Sequence, residues 1–128
     1  MTIERKNYPQ LSEPVGPYVH AVKHQGVLYL SGLTAFGTSA QSGSAAEQVG
    51  VIFDQVASVA EAEGVGAEAL LKVTVFITDF NEIGDLRRAL FAAYGDALPA
   101  SSMVRVGGLF APDLKVEVEA VLAVPQGD

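Results

Sequence analysis

A chain of 128 residues with fifteen acidic and eight basic side chains, net charge −7, is the size of one domain (1–128) and repels phosphate backbones, so nucleic acid is not an expected partner. It holds no cysteine, which excludes disulfides, thiolate metal sites and cysteine nucleophiles. No apolar signal core follows MTIERKNYP, and no later run nears the ~20 apolar residues of a membrane span, so the expectation is a soluble, cytoplasmic protein with no membrane partner.

A first short strand is expected at IERKN (3–7). VHAVKH (19–24) and VLYLSG (27–32) are short β-branched and aromatic runs joined through Gln25-Gly26, the pattern of a hairpin. A loop centred on FGTSAQSGS (36–44) follows. Ser44 with Glu47 three residues on has the capping-box spacing. Behind it Val49, Ile52, Phe53, Val56, Val59 and Ala60 recur at helical spacing until Gly64.

KVTVFIT (72–78) alternates as a strand. Asp79 and Glu82 are expected to cap a second helix, with Ile83, Leu86, Leu90 and Tyr94 as its apolar stripe and Gly95 as its stop. SMVRV (102–106) and KVEVEAVLAV (115–124) read as two more strands. Strands grouped with two helices predict an α+β layer, both helices on one face of a mixed sheet. In the last strand Val116, Val118, Ala120, Leu122 and Val124 point one way. Glu117, Glu119, Val121 and Ala123 point the other, a half-charged, half-apolar face suited to a subunit interface holding a polar pocket. The 49% apolar content points the same way.

Single features identify little. His20 and His24 lie four apart in a strand with no third ligand nearby, so they read as solvated strand histidines and not a metal site. GVGAE (64–68) and the Val-Gly-Gly at 106–108 lack the spacing of phosphate loops. Glu117 and Glu119 on one face of an apolar strand read two ways. They are edge charges that discourage aggregation, or they include a partly buried carboxylate able to activate water.

Taken together and in order, GPYVHAV (16–22), YLSG (29–32), LLKVTVFITDFNE (70–82), the LPASS corner (98–102) and KVEVEA (115–120) resemble the RidA (YjgF/YER057c/UK114) family of enamine and imine deaminases, from about residue 10 to 124. The resemblance implies a chorismate-mutase-like fold in a homotrimer with a central barrel, small-molecule clefts between subunits, and no metal or organic cofactor. It implies hydrolysis of small enamines and imines to 2-oxo compounds and ammonia, or, as the alternative, a non-catalytic trimer that binds a small metabolite. The family's older labels include endoribonuclease, against which the charge argues.

Carried over by position, the resemblance makes Tyr18 the pocket tyrosine, Ser31-Gly32 the serine-glycine pair and Glu117 the water-handling glutamate. Deaminases of the family read Pro-Ala-Arg-Ser at the corner, the arginine clamping the substrate carboxylate. Here the corner is Pro99-Ala100-Ser101-Ser102, with Ser101 in the arginine's place and Met103 where a pocket cysteine is common. Arg105 lies four residues beyond Ser101, ~13 Å along a strand, and is not that arginine. Arg87 falls where the family has a pocket asparagine, which makes it the expected replacement clamp, with a solvated helix-surface residue as its other reading.

Overall fold

In the computed structural model, which describes residues 2–126, the chain folds as one six-stranded sheet with two helices. The strands are β1 (Glu4–Lys6), β2 (Ala21–His24), β3 (Val27–Leu33), β4 (Leu70–Ile77), β5 (Ala100–Arg105) and β6 (Val116–Ala123); α1 (Ala45–Ala62) lies between β3 and β4, and α2 (Ile83–Tyr94) between β4 and β5. The spatial order is β1-β2-β3-β6-β4-β5. All neighbours are antiparallel except β4 and β5, which are parallel and joined through α2. The α+β expectation holds, as do all six strands, with ends shifted by one or two residues.

The hairpin turns on Gln25 (φ 51°) and Gly26 (φ 78°). Two successive left-handed residues match the twist of the flanking strands. At α1, Ser44 Oγ accepts the Glu47 N–H at 3.1 Å and the Glu47 carboxylate accepts the Ser44 N–H at 2.9 Å. Both halves of the capping box form, a device worth about 1 kcal/mol.

Period-2 strands and period-3.6 helices meet in one core. Val73, Val75 and Ile77 of β4 and Val116, Val118 and Leu122 of β6 are essentially inaccessible beneath Val49, Ile52 and Val59 of α1 and Leu86 of α2. Each such side chain contributes roughly 1.5–3 kcal/mol on burial. The opposite sheet face carries Tyr29, Phe76, Glu117, Glu119 and Val121, half-buried or exposed, as the alternation in β6 predicts.

Two expectations are corrected. Glu82 stands at the N-cap of α2 but makes no capping bond there. Its carboxylate instead accepts the Ala45 N–H at the start of α1 (3.1 Å) and pairs with Lys115 (3.2 Å), while Asp79 accepts the Asn81 N–H in a local turn. Glu82 therefore ties the starts of both helices to the sheet. His20 is buried, not solvated. It lies just before β2 and packs under the N-terminal segment, where Tyr8 stacks on it with ring centroids 6.2 Å apart.

Candidate functional site

A cleft of about 360 Å³ opens at the C-terminal end of β3, between the N-terminal segment 11–20, the loop after β3 and the loop before β6. Its floor depends on an irregularity in the sheet. Leu28 and Leu30 of β3 pair with Leu122 and Ala120, but the next pair is Leu33 with Val118, so three steps on β3 oppose two on β6. The extra residue is a β-bulge. It turns Ser31 and Gly32 toward the cleft while letting Leu30 and Leu33 both bury.

The bulge makes the room that Glu117 uses. A Cβ built on Gly32 would lie 2.1 Å from Glu117 Oε2, so the carboxylate fills the space a side chain would need. Glu117 is half-buried, and that burial raises its pKa above 4.5, with the negative charge of Glu119 adding to the shift. Ser31 Oγ donates its proton to the Val19 carbonyl at 2.7 Å, so toward the cleft it offers lone pairs. Tyr18 stands at the rim, its hydroxyl oxygen accepting the Val15 N–H at 3.3 Å. Behind the floor, His20 Nδ1 accepts the Tyr8 N–H (2.8 Å), which puts the ring proton on Nε2, facing the Ser12 carbonyl at 2.7 Å. Tyr18, Ser31, Gly32 and Glu117, far apart in sequence, thus line one cleft.

Ser101, Met103 and Arg87 do not line it. Ser101 and Met103 sit beside Val73 and Val75 in the parallel β4–β5 pair, which puts them on the helix-bearing side of the sheet. Glu117 is on the other side and two strands away. Arg87 is exposed on α2. Arg105 donates to the Thr78 carbonyl at 3.3 Å and stays on its own edge.

Two residues that sequence reasoning passed over line the cleft, and a third supports their loops. Phe36 and Phe110, one from each flanking loop, meet edge to face with centroids 4.9 Å apart. Gln48 holds those loops in place. Its fully buried amide donates to the carbonyls of Gln41 (2.9 Å), Gly43 (3.3 Å) and Asp113 (2.9 Å) and accepts the Lys115 N–H (2.8 Å). A polar residue adjoining the apolar stripe of α1 was the available signal for Gln48; aromatics in glycine-containing loops were the signal for the pair. Among the described residues no group of three His, Asp or Glu side chains stands close enough to hold a metal. No helix among them is long and apolar enough to cross a membrane.

A family profile described as Endoribonuclease L-PSP matches residues 9–124. The chain is 33% identical over 118 residues to a RutC family protein of Aquifex aeolicus, covering 88% of this chain and 93% of that one. It is 30% identical over 125 residues to the 2-iminobutanoate/2-iminopropanoate deaminase of Escherichia coli K12, covering 94% of each. The fold matches the crystal structure of Rv2704 from Mycobacterium tuberculosis, a member of the YjgF/YER057c/UK114 family. The TM-score is 0.81 at 23% identity, over 96% of this chain and all of that one.

Proposed function

Since the chain belongs to the RidA (YjgF/YER057c/UK114) family, we propose that its cleft hydrolyses small reactive imines or enamines to a carbonyl compound and ammonia, with Glu117 handling the water. The observation that carries this reading is the carboxylate seated over the Gly32 bulge, half-buried and with its pKa raised. A general base works best when its pKa lies nearer the operating pH than a free carboxylate's does. Glu117 takes a proton from water as the water oxygen bonds to the imine carbon. Glu117 returns that proton to the nitrogen of the resulting carbinolamine, then takes up the hydroxyl proton as the C–N bond breaks, the C=O bond forms and ammonia leaves. An enamine joins the same route after a proton is added at carbon. Tyr18, with its phenol proton uncommitted, is placed to steady the leaving nitrogen or the new carbonyl oxygen.

The half-apolar open face, with Tyr29 and Val104 exposed on it, supports assembly as a homotrimer around that face. In such an assembly Arg87, Ser101 and Met103 would reach a cleft only from a neighbouring copy. Light scattering giving a monomer mass at micromolar concentration would remove that part of the reading. The net charge of −7 and a cleft lined by two carboxylates disfavour RNA as substrate.

Ser101 in place of arginine supports a second reading, a trimer that binds a small metabolite without turning it over. One assay separates the two. Freshly generated imines, with and without a carboxylate, are mixed with the protein and ammonia release is followed against buffer alone. Acceleration with any of them supports the hydrolase; none with any of them leaves the binding reading.

A further inference from the structure

The charge on the cleft walls has one sign. Glu13 and Glu117 line the cleft, and among the described residues no lysine or arginine does. The hydrogen-bonding floor has the matching bias. Glu117 is an acceptor, and Ser31 has given its only proton to Val19, so it too can only accept. A carboxylate ligand needs several donors or a cation; Glu117 and Ser31 offer it an anion and an acceptor, against the phenol proton of Tyr18 at the rim. What such a floor recognises is a group rich in N–H bonds and positive charge.

The walls extend the same preference. Phe36 and Phe110 stand at the mouth as an edge-to-face pair, both largely exposed, on loops held together by Gln48. Aromatic faces attract cations through the ring quadrupole and bury apolar ligand surface. A volume of about 360 Å³ is within the range of pockets that hold drug-sized molecules, more room than the smallest imino acids need.

Resting on the reading of this cleft as an imine site, we propose that its substrate class is the iminium form of an imine on an apolar or aryl framework that bears no carboxylate. The charged nitrogen lies toward Glu117 and Ser31, and the apolar body lies against the Phe36–Phe110 pair. Ser101 then needs no replacement clamp, because there is no carboxylate to clamp.

The test uses full-length protein in its native assembly and a stable stand-in, benzylammonium, compared by calorimetry with benzyl alcohol and with pyruvate. Benzylammonium should bind about 10-fold or more tighter than the isosteric alcohol, with pyruvate weakest. Added salt should weaken the ammonium and leave the alcohol unchanged. Glu117→Gln should remove the preference for ammonium over alcohol while keeping the alcohol's affinity within about 2-fold. Phe110→Ala, at a largely exposed position, should weaken ammonium and alcohol alike by about 10-fold, with a circular dichroism melt confirming the fold.

Equal binding of ammonium and alcohol, or tighter binding of pyruvate, overturns the proposal; the latter means that a neighbouring copy supplies a cation. Parallel turnover assays keep the two readings apart. Hydrolysis of 2-iminopropanoate without benzylammonium binding sinks this inference and keeps the hydrolase. Benzylammonium binding without hydrolysis of any imine does the reverse.

Discussion

Gly32 and Glu117 compete for one volume: the carboxylate oxygen of Glu117 lies 2.1 Å from where a Gly32 Cβ would be, and its carboxyl carbon 2.9 Å. The backbone at Gly32 is not in the left-handed region, so alanine meets no conformational strain there. What must yield is the end of a flexible side chain. Gly32→Ala is therefore expected to fold with a thermal midpoint close to the parent's while swinging the Glu117 carboxylate out of place. Displacement of about 1 Å typically costs ~10²-fold in rate. Circular dichroism melts alongside turnover check this, and turnover within 2- to 3-fold of the parent, roughly the scatter of such comparisons, would separate Glu117's position from the chemistry.

The pH profile follows from the environment of Glu117. A base must be deprotonated to take a proton, so the rate should rise with pH through its pKa. Burial first, and the charge of Glu119 second, put that limb above 4.5. Glu119→Gln removes the second cause and should move the limb to lower pH. Glu117→Gln should lower turnover by ~10²–10⁴-fold. Because the folded pKa is raised, the ionised Glu117 opposes folding increasingly as pH climbs past 4.5. Glu117→Gln should therefore melt at or above the parent temperature at pH 7.

Glu63 has the opposite sign. Its buried carboxylate accepts from Lys6 Nζ (2.5 Å) and the Tyr8 hydroxyl (2.8 Å) and lies 3.5 Å from Lys23 Nζ. Burial alone would raise its pKa; the hydrogen bonds from Lys6 and Tyr8 and the two lysine charges outweigh burial and leave it below 4.5. Its stabilising contribution is complete above 4.5 and is lost as pH falls through the lowered folded value. Glu63→Ala should cost ~3 kcal/mol near neutrality, toward the lower end for a broken buried pair because Lys6 retains access to water. The gap in melting temperature from the parent should narrow in acid. A gap that does not change with pH would refute the assignment.

Tyr94 carries the opposite kind of defect. Its ring packs edge to face on Phe53, but its hydroxyl is buried without a hydrogen-bond partner among the described residues, and burial lifts its pKa to about 12. Tyr94→Phe keeps the packing and removes the unsatisfied group. It should stabilise the fold by about 1 kcal/mol in urea titration, and destabilisation would show that the hydroxyl has a partner.

The elements were legible because their causes are local. Val116 to Val124 alternate, the α1 stripe repeats at helical spacing, and Ser44 with Glu47 announces a helix start. Glu117 with Ser31-Gly32 was reachable from resemblance, and the structure brings them to one cleft. What stayed hidden depends on non-local partners. His20 reads as a surface strand residue until Tyr8 and Ser12 are folded over it. Glu82 reads as a cap until the start of α1 arrives to claim its carboxylate. Gln48 and the Phe36–Phe110 pair have meaning only once the loop after β3 and the loop before β6 converge on α1.

The bulge at Ser31-Gly32 also changes the parity of the strand. Before it, even-numbered residues such as Leu28 and Leu30 face the helices; after it, odd-numbered Leu33 does. Deleting either bulge residue would restore an unbroken two-residue rhythm, and the sheet could close over the gap with its apolar side intact. The cleft floor would vanish with the misfit. The chain's chemistry thus resides in a single residue's worth of frame shift, and a one-residue deletion there can leave a well-folded protein with nowhere to put a substrate.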